Sequence, residues 1–199
     1  MEGGDLAGNK GTAADLGAWL CFEDGSGQGL RPPRGRTGGR RGQTPVAKVT
    51  GGSNKRVSLA ALIAVKPGCR PRLIYRVHHG RRSRDDQRKG FTEADYGEPL
   101  VVVRDGLNTH VGHAMADLAA ARDWLTIFRL PVYAPELNPA EAVWSDLERS
   151  LANLARRSIS QLTALAKTRL RRMQYRTGLL DGFLARTGLD FTPFHNLRS

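Results

Sequence analysis

Two aspartates and one glutamate stand where carboxylates can hold a divalent cation. Asp24 directly follows the apolar run AWLCFE, and Asp105 directly follows PLVVVR. Each is followed by a glycine, Gly25 and Gly106. A carboxylate at the end of a buried strand is held rigidly and faces the crevice beyond the sheet, a usual place for ligands. If the two strands are parallel neighbours, the two carboxylates converge. Such a pair is costly unless a cation neutralises it or a proton is shared. A few hard oxygen ligands, with room for water and phosphate, describe Mg²⁺ better than zinc. The competing reading is a turn: an Asp after a strand is commonly a turn former, and the DGSG of residues 24–27 reads that way too.

The third carboxylate is Glu141, in PELNPAEAVW at positions 135–144. Asn138 is a good N-cap, Pro139 suits the first helical position, and Glu141 is three residues beyond the cap. Asn-x-x-Glu resembles a capping box, which requires no catalysis, and residue type alone favours that reading. Glu141 is three residues before Trp144, about 60° from it around a helix axis. That puts it on the flank of a stripe of Trp144, Leu147, Leu151 and Leu154, where it can look toward the end of a sheet.

The elements that must position these residues are legible as runs. Residues 1–17 are polar and Gly/Ala-rich and read as a loose surface segment. Ala18–Glu23 is a strand stopped by Asp24-Gly25-Ser26-Gly27. Residues 29–45 are loop. Val46–Thr50 and Val57–Val65 read as strands around a turn at Gly51-Gly52-Ser53-Asn54. Leu73–His78, Leu100–Val103 and Leu125–Leu130 are further strands. Residues 111–123 favour helix. So do Asn138 to about Arg157 and Ser158 to about Tyr175, the latter with Ile159, Leu162, Leu165 or Ala166, Leu170 and Met173 on one stripe. The order predicts an α/β fold: an antiparallel, hairpin-built half joined to a parallel half in one mixed sheet, with helices on its faces.

Charge is concentrated. The chain has 31 Lys+Arg and 19 Asp+Glu, for a formal +12. Residues 31–90 hold 17 of the basic residues and only two acids, Asp85 and Asp86. A surface of that density attracts phosphate backbones and releases counterions on binding. The candidate DNA contacts in and around it are Arg34, Arg36, Arg40, Arg41, Lys55, Arg56, Arg81 and Arg82. Tyr75 is the only aromatic residue among its basic strands, so duplex phosphate contact fits better than single-strand stacking. No apolar run approaches the roughly 18 residues that span a bilayer, and the N-terminus lacks a secretory pattern. Two cysteines, Cys21 and Cys69, are too few for a disulfide framework or a four-ligand zinc site. The expectation is a reduced, cytoplasmic protein with a polyanionic partner and no membrane.

The segment Val101–Leu154 carries DGLNTH at 105–110 and YAPELNPxExxW at 133–144. It resembles the catalytic domain of bacterial insertion-sequence transposases of the mariner-like superfamily. FEDGSG at 22–27 and RTGGRRG at 36–42 are similar to that family's first-aspartate strand and following loop, and the likeness runs from about residue 18 to 160. The resemblance implies a ribonuclease-H-like fold with an Asp–Asp–Glu triad, Asp24, Asp105 and Glu141. They would bind two Mg²⁺ ions, for which Mn²⁺ can substitute. It implies nicking at transposon ends followed by strand transfer by the freed 3′-hydroxyl. It also implies supporting roles for Asn108 and His110, terminal inverted repeats and target DNA as partners, and a homodimer at the nucleoid. His113 near His110 reads as a surface feature.

Some positions depart from the family pattern. Gly25, Gly106, Arg104 and Gly38 stand where other residues are usual, and Arg104 is placed to pair with Asp105. Relatives carry an N-terminal helix-turn-helix reader, so an upstream region or separate subunit is expected to supply it. The connection before Leu100 is too short for a full crossover helix. The expected outcome is a truncated crossover, with apolar sheet left exposed and stability reduced. On this reading the domains are a loose segment 1–17, a catalytic domain 18–157, and a C-terminal amphipathic helix and tail 158–199. Two alternatives stay open: a catalytically impaired remnant that only binds DNA or a partner subunit, and a related nuclease acting on RNA–DNA hybrids, against which the PELNP block speaks.

Overall fold

The computed structural model describes residues 13, 15–30, 41, 56–79, 99–104, 117, 119–131, 134–152, 154 and 158–188. Five strands form one sheet: β1 (Trp19–Gly29), β2 (Arg56–Val65), β3 (Arg72–His79), β4 (Leu100–Arg104) and β5 (Leu125–Arg129). Their spatial order is β3-β2-β1-β4-β5. The β1–β2 and β2–β3 pairs are antiparallel, and β1–β4 and β4–β5 are parallel. The mixed sheet expected from the order of runs is therefore present, with β1 at the seam between the two halves. A short 3₁₀ turn at Pro135–Leu137 leads into α1 (Pro139–Leu151); α2 (Ile159–Gln174) and α3 (Thr177–Ala185) follow.

Strand alternation divides the core. Leu20 and Phe22 of β1, with Leu59, Ala61 and Ile63 of β2, face the helices. They share one cluster with Val143, Trp144, Leu147 and Leu151 of α1, Leu162, Ala166 and Leu170 of α2, and Leu180, Phe183 and Leu184 of α3. Ala13 belongs to the same cluster, and its carbonyl accepts a bond from Ala18 N at 2.8 Å, so this part of the N-terminal segment is built in. On the other face, Trp19, Cys21, Leu62, Ala64, Leu100, Val102 and Leu125 form a second cluster, flanked by Ile74, Ala119, Trp124 and Ile127.

Several expectations are corrected. Asp24-Gly25-Ser26-Gly27 does not stop the first strand: β1 runs on to Gly29, because β2 offers a full ladder of partners from Asp24↔Ala61 to Gly29↔Arg56. The second sheet face is not exposed. Its seven core residues are all buried, the Arg72 guanidinium lies 4.6 Å from the Trp19 ring centroid, and the exposed large hydrophobics among the described residues are Leu16 and Tyr175, neither on the sheet. Helix α1 ends at Leu151, not near 157, since Ala152 turns to an extended ψ of 143°. Of the helix expected over 111–123, Asp117, Ala119 and Ala120 are described as helical. The expected strand at 46–50, its turn at 51–54 and the connection over 80–98 lie outside the described residues. Helix α2 matches expectation, with Ser158 Oγ capping Gln161 N at 3.1 Å and Leu162, Ala166, Leu170 and Met173 buried. Among the described residues no helix is long and apolar enough to cross a membrane.

Candidate active site at the seam of the sheet

Asp24 is half-buried within β1, on the face toward the helices. Its Oδ2 accepts a hydrogen bond of 2.7 Å from Nε1 of Trp144, 120 residues along the chain. Trp144 is 4% exposed, so the indole reaches the carboxylate from inside the core. The bond is short because the acceptor is a carboxylate.

Helix α1 is tied to β1 at two further points. Asn138, its N-cap, accepts from Ala140 N at 3.1 Å through Oδ1 and donates through Nδ2 to the main-chain oxygen of Glu23 at 3.2 Å. At the other end, Gln28 of β1 donates to Glu148 Oε1 at 3.2 Å. Residues 23, 24 and 28 of the strand thus meet residues 138, 144 and 148 of the helix in the same order along both elements.

Glu141 rides on this helix, exposed, one turn before Trp144. Residues three apart on a helix are neighbours on its surface, about 5–6 Å between Cβ atoms. The residue that holds Asp24 therefore sits beside the third candidate carboxylate. The capping-box reading loses its main argument here. The Asn138 N–H, which a capping box gives to the Glu, donates instead to Pro135 O at 2.9 Å. The capping bond of the helix is Asn138's own, from Ala140 N to its Oδ1.

The parallel register adds the next relationship. The last pair of the β1–β4 ladder is Glu23↔Arg104. Arg104 Nε lies 3.9 Å from Glu23 Oε2. By alternation this pair faces away from Asp24, and the pairing of Arg104 seen among the described residues is with Glu23.

Asp105, Asn108, His110 and His113 lie outside the described residues, as do Arg34, Arg36, Arg40, Lys55, Arg81 and Arg82. Of the expected DNA contacts, Arg41 is exposed. Arg56 is also exposed and donates through Nη2 to Gly27 O at 3.1 Å, lying across β1 beyond Asp24. Among the described residues no group of three or more His, Cys, Asp and Glu side chains is assembled.

Trp144, a core residue by its spacing on α1, is also the neighbour of the candidate carboxylate Asp24. A Trp that is buried needs an acceptor for its N–H, and that requirement is the signal in the sequence. The identity of the acceptor is visible only in three dimensions.

A family model described as DDE superfamily endonuclease matches residues 19–165. No curated protein matches the sequence significantly. Among solved structures, the Mos1 strand transfer complex shares 13% identity, covering 94% of this chain and 59% of that one, with a TM-score of 0.55. The Mos1 transposase paired-end complex with left transposon end gives 13%, 94%, 60% and 0.55. The mariner Mos1 paired end complex with Mg gives 12%, 85%, 53% and 0.54. The chain thus spans less than two thirds of the length of these structures. At such identity the likeness is one of fold, the ribonuclease-H-like arrangement.

Proposed function

The chain belongs to the DDE superfamily endonucleases, and on that premise we propose that it is the catalytic domain of a mariner-like DNA transposase. The single observation that carries the reading is the fastening of α1 to β1 through the Trp144–Asp24 bond, which supports pairing Asp24 with Glu141, one turn before Trp144 on the same helix. Asp105 is assigned as the third ligand. Support comes from sequence position: Asp105 directly follows Arg104, the last residue of β4, and Arg104 is opposite Glu23, the residue before Asp24.

The donor set is oxygen only, which suits Mg²⁺ or Mn²⁺. Asp24 fits this role because it is half-buried yet held in one orientation, and Arg104, the cation beside it in sequence register, is engaged with Glu23 on the other face. When bound, two divalent ions supply activation of water or a 3′-hydroxyl and stabilisation of the leaving oxygen. The chain contributes the mount: one carboxylate inside a central strand, one on the helix fastened to it, and Asp105, next in sequence after β4. Asn108 and His110 are assigned supporting positions beside Asp105.

The proposed substrate is double-stranded DNA, transposon ends and target, with phosphates met by the basic segment that includes Arg41 and Arg56. A homodimer, and an additional end-reading region or subunit, complete the proposed assembly.

The test is Mg²⁺- or Mn²⁺-dependent nicking of plasmid that carries the element's ends. Wild type is compared with Asp24→Ala, Asp105→Ala and Glu141→Ala, each expected to fall at least ~100-fold, the scale of removing one main electrostatic stabiliser. Wild-type rates in any variant remove that residue from the assignment. Salt-sensitive DNA binding with no nicking by wild type supports the non-catalytic reading instead.

A further inference from the structure

We infer that Trp144 is a positioning residue for the Asp24 carboxylate, setting the plane in which that carboxylate presents itself to a divalent cation. The inference rests on the assignment of Asp24 as a metal ligand. A carboxylate's final torsion is broad and roughly two-fold, so an Asp with one exposed side swings about Cβ–Cγ. A 2.7 Å bond from a fixed donor to Oδ2 removes that freedom. The donor is itself fixed. The indole is buried at 4%, and α1 is pinned six residues before Trp144 by Asn138–Glu23 and four residues after it by Glu148–Gln28.

Satisfying a buried indole N–H would by itself be served by any carbonyl oxygen. The acceptor here is a charged group at the rim, and the bond runs between the helix of Glu141 and the strand of Asp24. A shift of α1 relative to β1 therefore alters the carboxylate's orientation and the position of Glu141 together. Groups that orient metal ligands in this way typically change metal affinity by about 10- to 100-fold when removed.

The geometry also supplies a reporter. Mg²⁺ or Mn²⁺ binds carboxylate oxygen at about 2.1 Å, so an ion on Asp24 lies within several ångström of the Trp144 ring. Trp19 and Trp124 sit in the cluster on the opposite face of the sheet.

The experiment titrates the purified chain with Mn²⁺, counting free ion by electron paramagnetic resonance. Wild type is compared with Asp24→Asn and with a protein carrying 3-benzothienylalanine at position 144, which keeps the ring volume of Trp and lacks the N–H. The expected result is a 10- to 100-fold weaker Mn²⁺ affinity for the benzothienyl protein, with a thermal melt close to that of wild type. If that protein binds Mn²⁺ as wild type does while Asp24→Asn binds weakly, the positioning role falls and the metal site stands. If wild type and Asp24→Asn bind alike, or wild type binds none, the metal-site reading itself falls. A second measurement leaves the site intact. In the Trp19→Phe/Trp124→Phe variant, saturating Mn²⁺ quenches the remaining fluorescence of Trp144. Undiminished fluorescence at saturation overturns the inference.

Discussion

Asn138 Nδ2 donates to the main-chain oxygen of Glu23 across 3.2 Å, so the residue that caps α1 also ties it to β1. Asn138 is 3% exposed; its cap bond is buried and its tie to Glu23 part-buried. Asn138→Ala removes the cap and the tie together and is expected to lower stability by about 1–3 kcal/mol. Asn138→Ser, which can keep a capping oxygen but not the tie, recovers part of that loss. Urea unfolding of the three proteins checks the order. A neutral Asn138→Ala would show that the tie contributes nothing.

Gly27 pairs with Ser58 within the β1–β2 ladder, two pairs from its end, not in a turn. The nearest atoms to a Cβ built there are at the far end of the Arg56 side chain, 3.0 Å from Nη2. A guanidinium can swing aside, so Gly27→Ala is expected to be neutral or stabilising by up to about 1 kcal/mol, through reduced freedom of the unfolded chain. A loss above ~2 kcal/mol by denaturant melting would restore the turn reading.

Helix α2 is part of the same core as the catalytic sheet. Leu170 is fully buried alongside Leu147 of α1, and Gln174 donates to Leu73 O of β3 at 2.9 Å. Leu170→Ala and Leu147→Ala should each cost about 2–5 kcal/mol. Both should lower a single cooperative transition. A Leu170→Ala melt that loses only α-helical signal, with the sheet unchanged, would show α2 to be an appendage.

Burial pushes the Cys21 thiol far above its usual value of 9.0. The folded protein holds the neutral form, while the unfolded chain releases the proton. The stabilisation is therefore complete below about pH 9 and is lost as pH rises toward the folded value. The expected slope is about 1.4 kcal/mol per pH unit for this one group. Cys21→Ala should flatten that alkaline arm, measured as unfolding free energy between pH 8 and 10.5. Tyr75, also pushed up mainly by burial, adds to the wild-type slope in the same direction and is unchanged by the substitution. In native buffer a thiol reagent should label half-exposed Cys69 well before Cys21.

Much of this architecture could be read from composition and spacing, for identifiable reasons. The parallel half announces itself through continuous apolar runs such as Leu100–Val103, and α2 through the spacing of Leu162, Ala166, Leu170 and Met173. The extent of β1 was hidden. Asp24-Gly25-Ser26-Gly27 has turn residues, and only the partner strand, some 30 positions later, makes it extended. Helix α3 was missed because Gly178 and Gly182 depress its propensity, while burial of Leu180, Phe183 and Leu184 against the other helices outweighs that cost. At the candidate site, residue type and position single out Asp24 and Glu141 as candidates. The pairing of Trp144 with Asp24, and of Arg104 with Glu23, depends on contacts 120 and 81 positions apart that no local pattern encodes.

The place of β1 between an antiparallel and a parallel neighbour sets a timetable for synthesis. A ribosome releases β1, β2 and β3 first, and these can zip together as a meander that contains Asp24 but not the indole that holds it. The parallel partner β4 and the clamp from α1 emerge later. On the proposed assignment, a nascent chain therefore carries Asp24 before Asp105 and Glu141 have been made, and the proposed metal site is complete only after α1 has emerged.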